Sequence, residues 1–257
     1  TYLVINVLDI IWLRRGDERK VKMLSYVALP VAILVHSVTA WIFGLEIAKE
    51  GWYSAIMAPI FVASACDSGL ALLMVVLAAV RKAGVFDCGR ELFANLARLL
   101  ATFIAVDAFF IGCELLTTAY PGTEGASHVL GIMTSGATAP FFWFEILGGL
   151  LIPFVLLASA KRRERTGVVV AASALVMCGV FCKRVWLLFT SFTVTNVYGA
   201  PGISSGSTAA RGADGFDMWA LAGSYMPQPV EFAVVAAVVS FCILGIALLS
   251  KKLVAKA

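Results

Sequence analysis

PVAILVHSVTAWIFGLEIAKEGWYSAIMAPIFVASACDSGLALL, Pro30 to Leu73, decides the fold. It reads as two apolar helices joined by a short polar link. One ionisable side chain lies about halfway along each, His36 in the first and Asp67 in the second. An Asp, Lys or Arg at the centre of a membrane helix costs about 2.5–3.5 kcal/mol on insertion scales. Such groups normally face a protein interior or a wet cavity, so the pair should turn both helices' polar faces away from lipid.

Composition extends this to the whole chain. Hydrophobic residues make up 61% and charged residues 14%, with a mean hydropathy of +0.93. Soluble domains carry roughly 25% charged residues. A soluble core in a chain of 257 residues has no room for that excess, so this is an integral membrane protein. The net charge of +4 sits in loops between apolar stretches, with no nucleic-acid signature. The six Cys include no CxxC; Cys88 falls in a loop and the other five in apolar segments. Disulfides and iron–sulfur ligation by this chain are therefore not expected, since clusters need gathered thiolates. Cys178 and Cys182 share a helix face and suit small packing residues.

The expected fold is all-α, a polytopic transmembrane bundle in a single domain, 1–257. Residues 1–13 are apolar but reach only about 20 Å of a roughly 30 Å hydrocarbon layer, and read as the end of a truncated first span. Six complete spans follow, at about 23–48, 54–80, 92–119, 136–160, 167–194 and 227–250. Pro30 falls in the second turn of its span, where a kink is expected. Residues 120–135 and 195–226 read as polar loops rich in Gly and Ser.

Loop charges alternate. Loops after spans one, three, five and seven hold 5, 3, 4 and 3 basic residues, and those after spans two, four and six hold 1, 0 and 1. The positive-inside rule puts the first set, and the C-terminus, on the cytoplasmic side of the membrane. Trp52, Tyr53, Tyr120, Trp219 and Tyr225 then fall at the outer ends, as an interfacial aromatic belt would.

At 1.5 Å per residue, His36, Asp67 and Asp107 lie near midplane. Glu114 is seven residues past Asp107, on the same helix face and further out. Glu145, Lys183, Arg184 and Glu231 also fall in the outer half. Chains of Asp, Glu and His in membranes mark proton paths or ligand pockets. A quinone needs a polar partner at each carbonyl, a proton route and an apolar slot for its tail; this outer cluster supplies the first two. Plainer roles stay open. Lys183 and Arg184 also suit ion pairs with Glu145 and Glu231, Asp67 a local bond to Ser64 or Ser68, and His36 a packing role. Haem fits poorly, because His36 and His128 differ in depth and no CxxCH is present.

PVAILVHSVTAWIFGL, GWYSAIMAPIFVASACDSGLALL, KRVW and YMPQPVEF together resemble the NrfD/PsrC (polysulfide reductase) family. The resemblance implies a quinone-interacting membrane subunit of a respiratory, often anaerobic, oxidoreductase complex, built as eight to ten helices without a permanently bound cofactor. It implies a periplasmic, ferredoxin-like iron–sulfur partner, with a molybdopterin enzyme or multihaem cytochrome beyond it, and menaquinone or ubiquinone as substrate. On that basis His36, Asp67, Asp107 and Glu114 are the candidates for proton transfer. Glu145, Arg184, Tyr225 and Glu231 are the candidates for quinone binding. Some relatives are held to carry a proton-conducting acid and His in these helices, which raises proton translocation as a coupled activity. Two other readings stand beside this one: a proton-coupled transporter, and a passive anchor without quinone chemistry.

Overall fold

The computed structural model describes residues 2–47, 49, 51–85, 89–193 and 228–253. All elements among them are helices: α1 Tyr2–Arg14, α2 Glu18–Gly44, α3 Met57–Lys82, α4 Arg90–Ala119, α5 Glu124–Ser135, α6 Ala139–Trp143, a π-helical segment Phe144–Leu151, α7 Ile152–Ala158, α8 Ala160–Arg163, α9 Thr166–Thr193 and α10 Pro229–Leu253. Six stretches are long and apolar enough to cross a membrane: α2, α3, α4, the composite 139–158, and most of α9 and of α10. The expected polytopic bundle is therefore what forms, and its spans follow the hydropathy pattern.

α3 is the hub. It packs against α2, α4 and α9, while α9 also packs along the π segment and α7. Each of these helices has a narrow buried stripe at helical spacing and apolar side chains outside it. Two ends of the bundle can be told apart. The basic end carries the turns at 15–17, 83–85 and 164–165. The link end carries the 45–56 connection, α5 and the end of α9. At the basic end Asp17 caps α2, accepting from the Lys20 N–H at 3.2 Å and pairing with Lys20 Nζ at 2.8 Å. Its hydrogen bond to the Lys20 side chain, then that to the Lys20 backbone, hold its carboxyl below the usual carboxylate range.

Four expectations need correction. α2 starts at Glu18, so Pro30 lies in mid-helix and the helix runs through it. α2 also stops at Gly44, short of the expected 48. There the Ser54 N–H bonds back to the Gly44 carbonyl at 3.2 Å, and a Cβ on Gly44 would sit 2.8 Å from the Ser54 carbonyl oxygen. Residues 124–135, expected as loop, form α5. Thr123 accepts from the Ala126 N–H to start it, and Val129 and Met133 give it a buried side. Trp52 does not belong to a surface belt. It is buried, its indole N–H donates to the Leu187 carbonyl at 2.8 Å, and its ring meets Phe43 and Phe192 edge-on. Tyr53 and Tyr120 are exposed as expected, while Trp219 and Tyr225 lie outside the described residues.

The fifth span holds a feature that its apolar pattern hides. Pro153 has no N–H to bond the Gly149 carbonyl, and the sequence before it, FEILGG, contains two adjacent glycines. The backbone widens there, with the Ile152 N–H reaching the Leu147 carbonyl five residues back. Gly149 then touches α9 backbone to backbone: a Cβ on Gly149 would lie 2.6 Å from Gly179 Cα, and one on Gly179 would lie 2.5 Å from Gly149 Cα. Small residues at such a crossing let membrane helices approach closely. We expect Gly149→Ala or Gly179→Ala to destabilise the fold by about 1–3 kcal/mol, the usual range for overpacking. Gly69→Ala, where a Cβ meets nothing within 4 Å, should be near neutral. Thermal unfolding in detergent, read side by side for the three variants, checks this.

Candidate functional site: a buried ionic cluster below a crevice

Lys183 is the centre of the site. It sits on the buried stripe of α9, four residues from Gly179 and three from Trp186, and is only 2% exposed. Its ammonium donates to both oxygens of Asp107 on α4, at 2.9 and 2.8 Å, and lies 3.3 Å from Glu145 Oε1 in the π segment. The Trp186 indole N–H donates to the other Glu145 oxygen. Asp107 and Glu145 are also buried, so this is an ion-paired core at about mid-depth.

Asp67 on α3 completes the cluster. It is fully buried, and neither carboxylate oxygen has a hydrogen-bond donor. Its charged neighbours are Asp107 and Lys183. Three carboxyl groups therefore face one ammonium. Arg184, next along α9, brings its guanidinium to 3.8 Å above the Phe61 ring, and its charge acts on Asp107, Glu145 and Asp67 from there.

From this cluster a narrow crevice runs toward the link end. Lys183, Trp186, Thr190, Glu114, Thr118 and Gly51 are among the residues along it, with Met57 and Met133 on its apolar sides. Its free volume of about 40 Å³ suits a short file of water molecules. Glu114 lies along this crevice and accepts a 2.5 Å hydrogen bond from the Ser54 hydroxyl. Lys49 closes over the far end by donating to the Ser191 carbonyl at 3.2 Å, and burial lowers its pKa below the ordinary lysine value.

The sequence candidates thus divide. Asp67, Asp107 and Glu145 meet around Lys183, Arg184 lies beside them, and Glu114 lies one step along the crevice. His36 is exposed on the outward face of α2, apart from the cluster. Glu231 is on α10, whose described side chains are essentially all exposed. Tyr225 lies outside the described residues. Lys183 and Trp186 carry more of the site than the sequence candidates allowed, and Ser54 was not among them. The periodicity held the signal: counting from Val176 and Gly179 puts Lys183, not Arg184, on the packed face.

Removing one member of a buried ion pair typically costs about 3–5 kcal/mol, because the partner is left charged and dry. Lys183→Met should therefore be strongly destabilising. Adding Asp107→Asn to Lys183→Met should recover part of the loss, which is the sign of coupling that a double-mutant cycle in detergent would read.

Comparison with known proteins places the cluster in context. Residues 4–196 match the family model described as polysulphide reductase, NrfD. The chain is 36% identical over 214 residues to a putative dimethyl sulfoxide reductase membrane subunit of Halobacterium salinarum, covering 83% of this chain and 48% of that protein. It is 28% identical to a selenate reductase subunit of Mesobacillus selenatarsenatis, over 77% of this chain and 45% of that one. It is 26% identical to the Hdr-like menaquinol oxidoreductase integral membrane subunit of Archaeoglobus fulgidus, over 66% and 44%. The chain therefore spans about half the length of the curated relatives it matches.

Proposed function

The chain belongs to the polysulphide reductase NrfD family, as a multi-pass membrane subunit of oxidoreductase type, and on that premise we propose that it reacts with a membrane quinone. Electrons pass between the quinone and an iron–sulfur partner docked at the link end, and two protons accompany each pair of electrons. The observation that carries this reading is the crevice that leads from the link end to a buried, acid-rich cluster. A cluster that served only to hold helices together would have no use for such an approach. An apolar wall beside polar groups also suits a ring with two carbonyls.

Lys183, at the floor of the crevice, donates to a quinone carbonyl by turning one N–H away from Glu145, which lies at 3.3 Å, and Glu114 is the acid beside the path. Asp107 holds Lys183 in place through two hydrogen bonds. A proton arriving at the cluster can rest on Asp67, a buried carboxyl whose two oxygens have no hydrogen-bond donor. The ring needs more space than the water file occupies. Met57 and Met133 are unbranched and adaptable, and their movement widens the crevice. His36, on the outward face of α2, is off this route. The name of the Archaeoglobus relative supports a menaquinone as the carrier.

The test is quinol oxidation, or quinone reduction, by the purified complex with Asp107→Asn and Glu114→Gln. We expect Asp107→Asn to lower kcat by about 10²-fold, the lower end for loss of general acid–base assistance. The assembly of the complex and the metal content of its partner should stay normal. Full turnover in both variants would contradict the proposal and favour a passive anchor. Proton flux through the chain with its redox partner removed would favour a transporter.

A further inference from the structure

The buried polar groups are distributed unevenly along the bundle. Among the described residues, Ser37, Ser64, Thr138, Thr190 and Ser191 all lie on the link-end side of the cluster. On the basic-end side the described residues hold the half-buried Asp9 of α1, whose Oδ1 is enclosed, and the fully buried Ser173. The Ser173 hydroxyl belongs to no chain of hydrogen-bonded groups. The rest of the interior there is an apolar layer, with an apolar hollow of about 490 Å³ between α4 and the fifth span, lined by Ile104, Leu150 and Phe154 among others. Met74, Phe93, Leu100, Ile104, Leu157 and Val169 are each no more than 3% exposed, and all belong to one contiguous core.

That layer is thick. From Ile104 to Phe93 along α4 is eleven residues, roughly 16 Å at 1.5 Å per residue. A hollow lined only by apolar side chains gives water no polar partners, and an apolar layer of that depth carries no proton file. On the opposite side the crevice brings Lys183 into contact with space reaching Gly51 and Ser191. Among the described residues, the charged groups that face the cluster are Asp67 from α3, Asp107 and Glu114 from α4, Glu145 from the π segment, and Lys183 and Arg184 from α9, with the Cys66 and Cys182 thiols beside Asp67 and Glu145.

We propose that the ionic cluster exchanges protons with water at the link end only, and that the apolar layer beneath it closes these helices to protons from the basic end. The functional consequence rests on the quinone reading above; the access itself does not. Reduction of a quinone takes up two electrons and two protons, and oxidation of the quinol releases them. With the iron–sulfur partner also at the link end, electrons and protons enter and leave from one side. Turnover at this site then moves no net charge across the membrane, and the helices described here do not act as a proton pump.

Radiolytic hydroxyl-radical footprinting of the intact wild-type complex tests the access without using quinone, because labelling requires nearby water. The chain supplies its own reporters: Met57, Met133 and Trp186 on the crevice, Met74 and Phe93 in the apolar layer. We expect Met57 and Met133 to be modified at least tenfold faster than Met74, and Trp186 to be modified while Phe93 is spared. Equal rates at Met57 and Met74 would show water below the cluster and overturn one-sided access. Protection of Met57, Met133 and Trp186 alike would show a dry crevice and overturn it too. Neither result depends on whether the complex oxidises quinol, so a failed activity assay and a failed footprint point to different errors.

Discussion

Lys183 is the constraint on which the arrangement depends. An ammonium at mid-depth in an apolar bundle is tolerable only if it is paired and hydrogen-bonded, because the cost of taking a charge out of water is several kcal/mol. Two carboxylates from two different elements meet that need, Asp107 from α4 and Glu145 from the π segment. α9 is thereby fixed against both of its neighbours at one depth. The pairing leaves a remainder, however. Asp67 is buried at the same level with no donor of its own, so the cluster has one acid more than structural balance requires. A purely structural device has no reason to keep it.

The π segment is what makes the pairing possible. A regular helix from Ala139 to Ala158 would place successive residues about 100° apart throughout. The widened turn changes that register over Phe144–Leu151, the stretch that carries Glu145. The same stretch presents Gly149 to Gly179, which brings the two backbones close enough for Glu145 to reach Lys183. Pro153 and the paired glycines thus serve the chemistry through geometry. Insertions of this kind are frequent at functional sites for the same reason.

Much of the fold was legible because lipid leaves so few options. Apolar length fixed where the spans fall, and ionisable residues at mid-depth announced a polar interior. The misreadings have physical causes. α5 looked like a loop because its Gly, Ser and Thr content is set by lying at the link end with one side packed. Hydropathy continues past Gly44, but backbone contact with Ser54 stops α2 there. The site was half legible. Asp67, Asp107 and Glu145 stood out by depth alone. His36 stood out by the same criterion, yet it sits one residue before Ser37 and so about 100° off the buried stripe of α2. Lys183 was passed over for Arg184 because depth does not separate adjacent residues, whereas the helical face does.

The bundle is a membrane scaffold built around one buried ionic centre, with a narrow crevice between that centre and the link end. The family and the curated relatives agree with a membrane subunit of an oxidoreductase complex. The most direct test of the central claim is infrared difference spectroscopy of the assembled complex as added menaquinone is reduced and reoxidised. The account predicts a carboxylic-acid carbonyl band that changes with redox state, shifts in heavy water, and disappears in Asp67→Asn. A difference spectrum with no carboxyl signal, unaltered by Asp67→Asn, would contradict it.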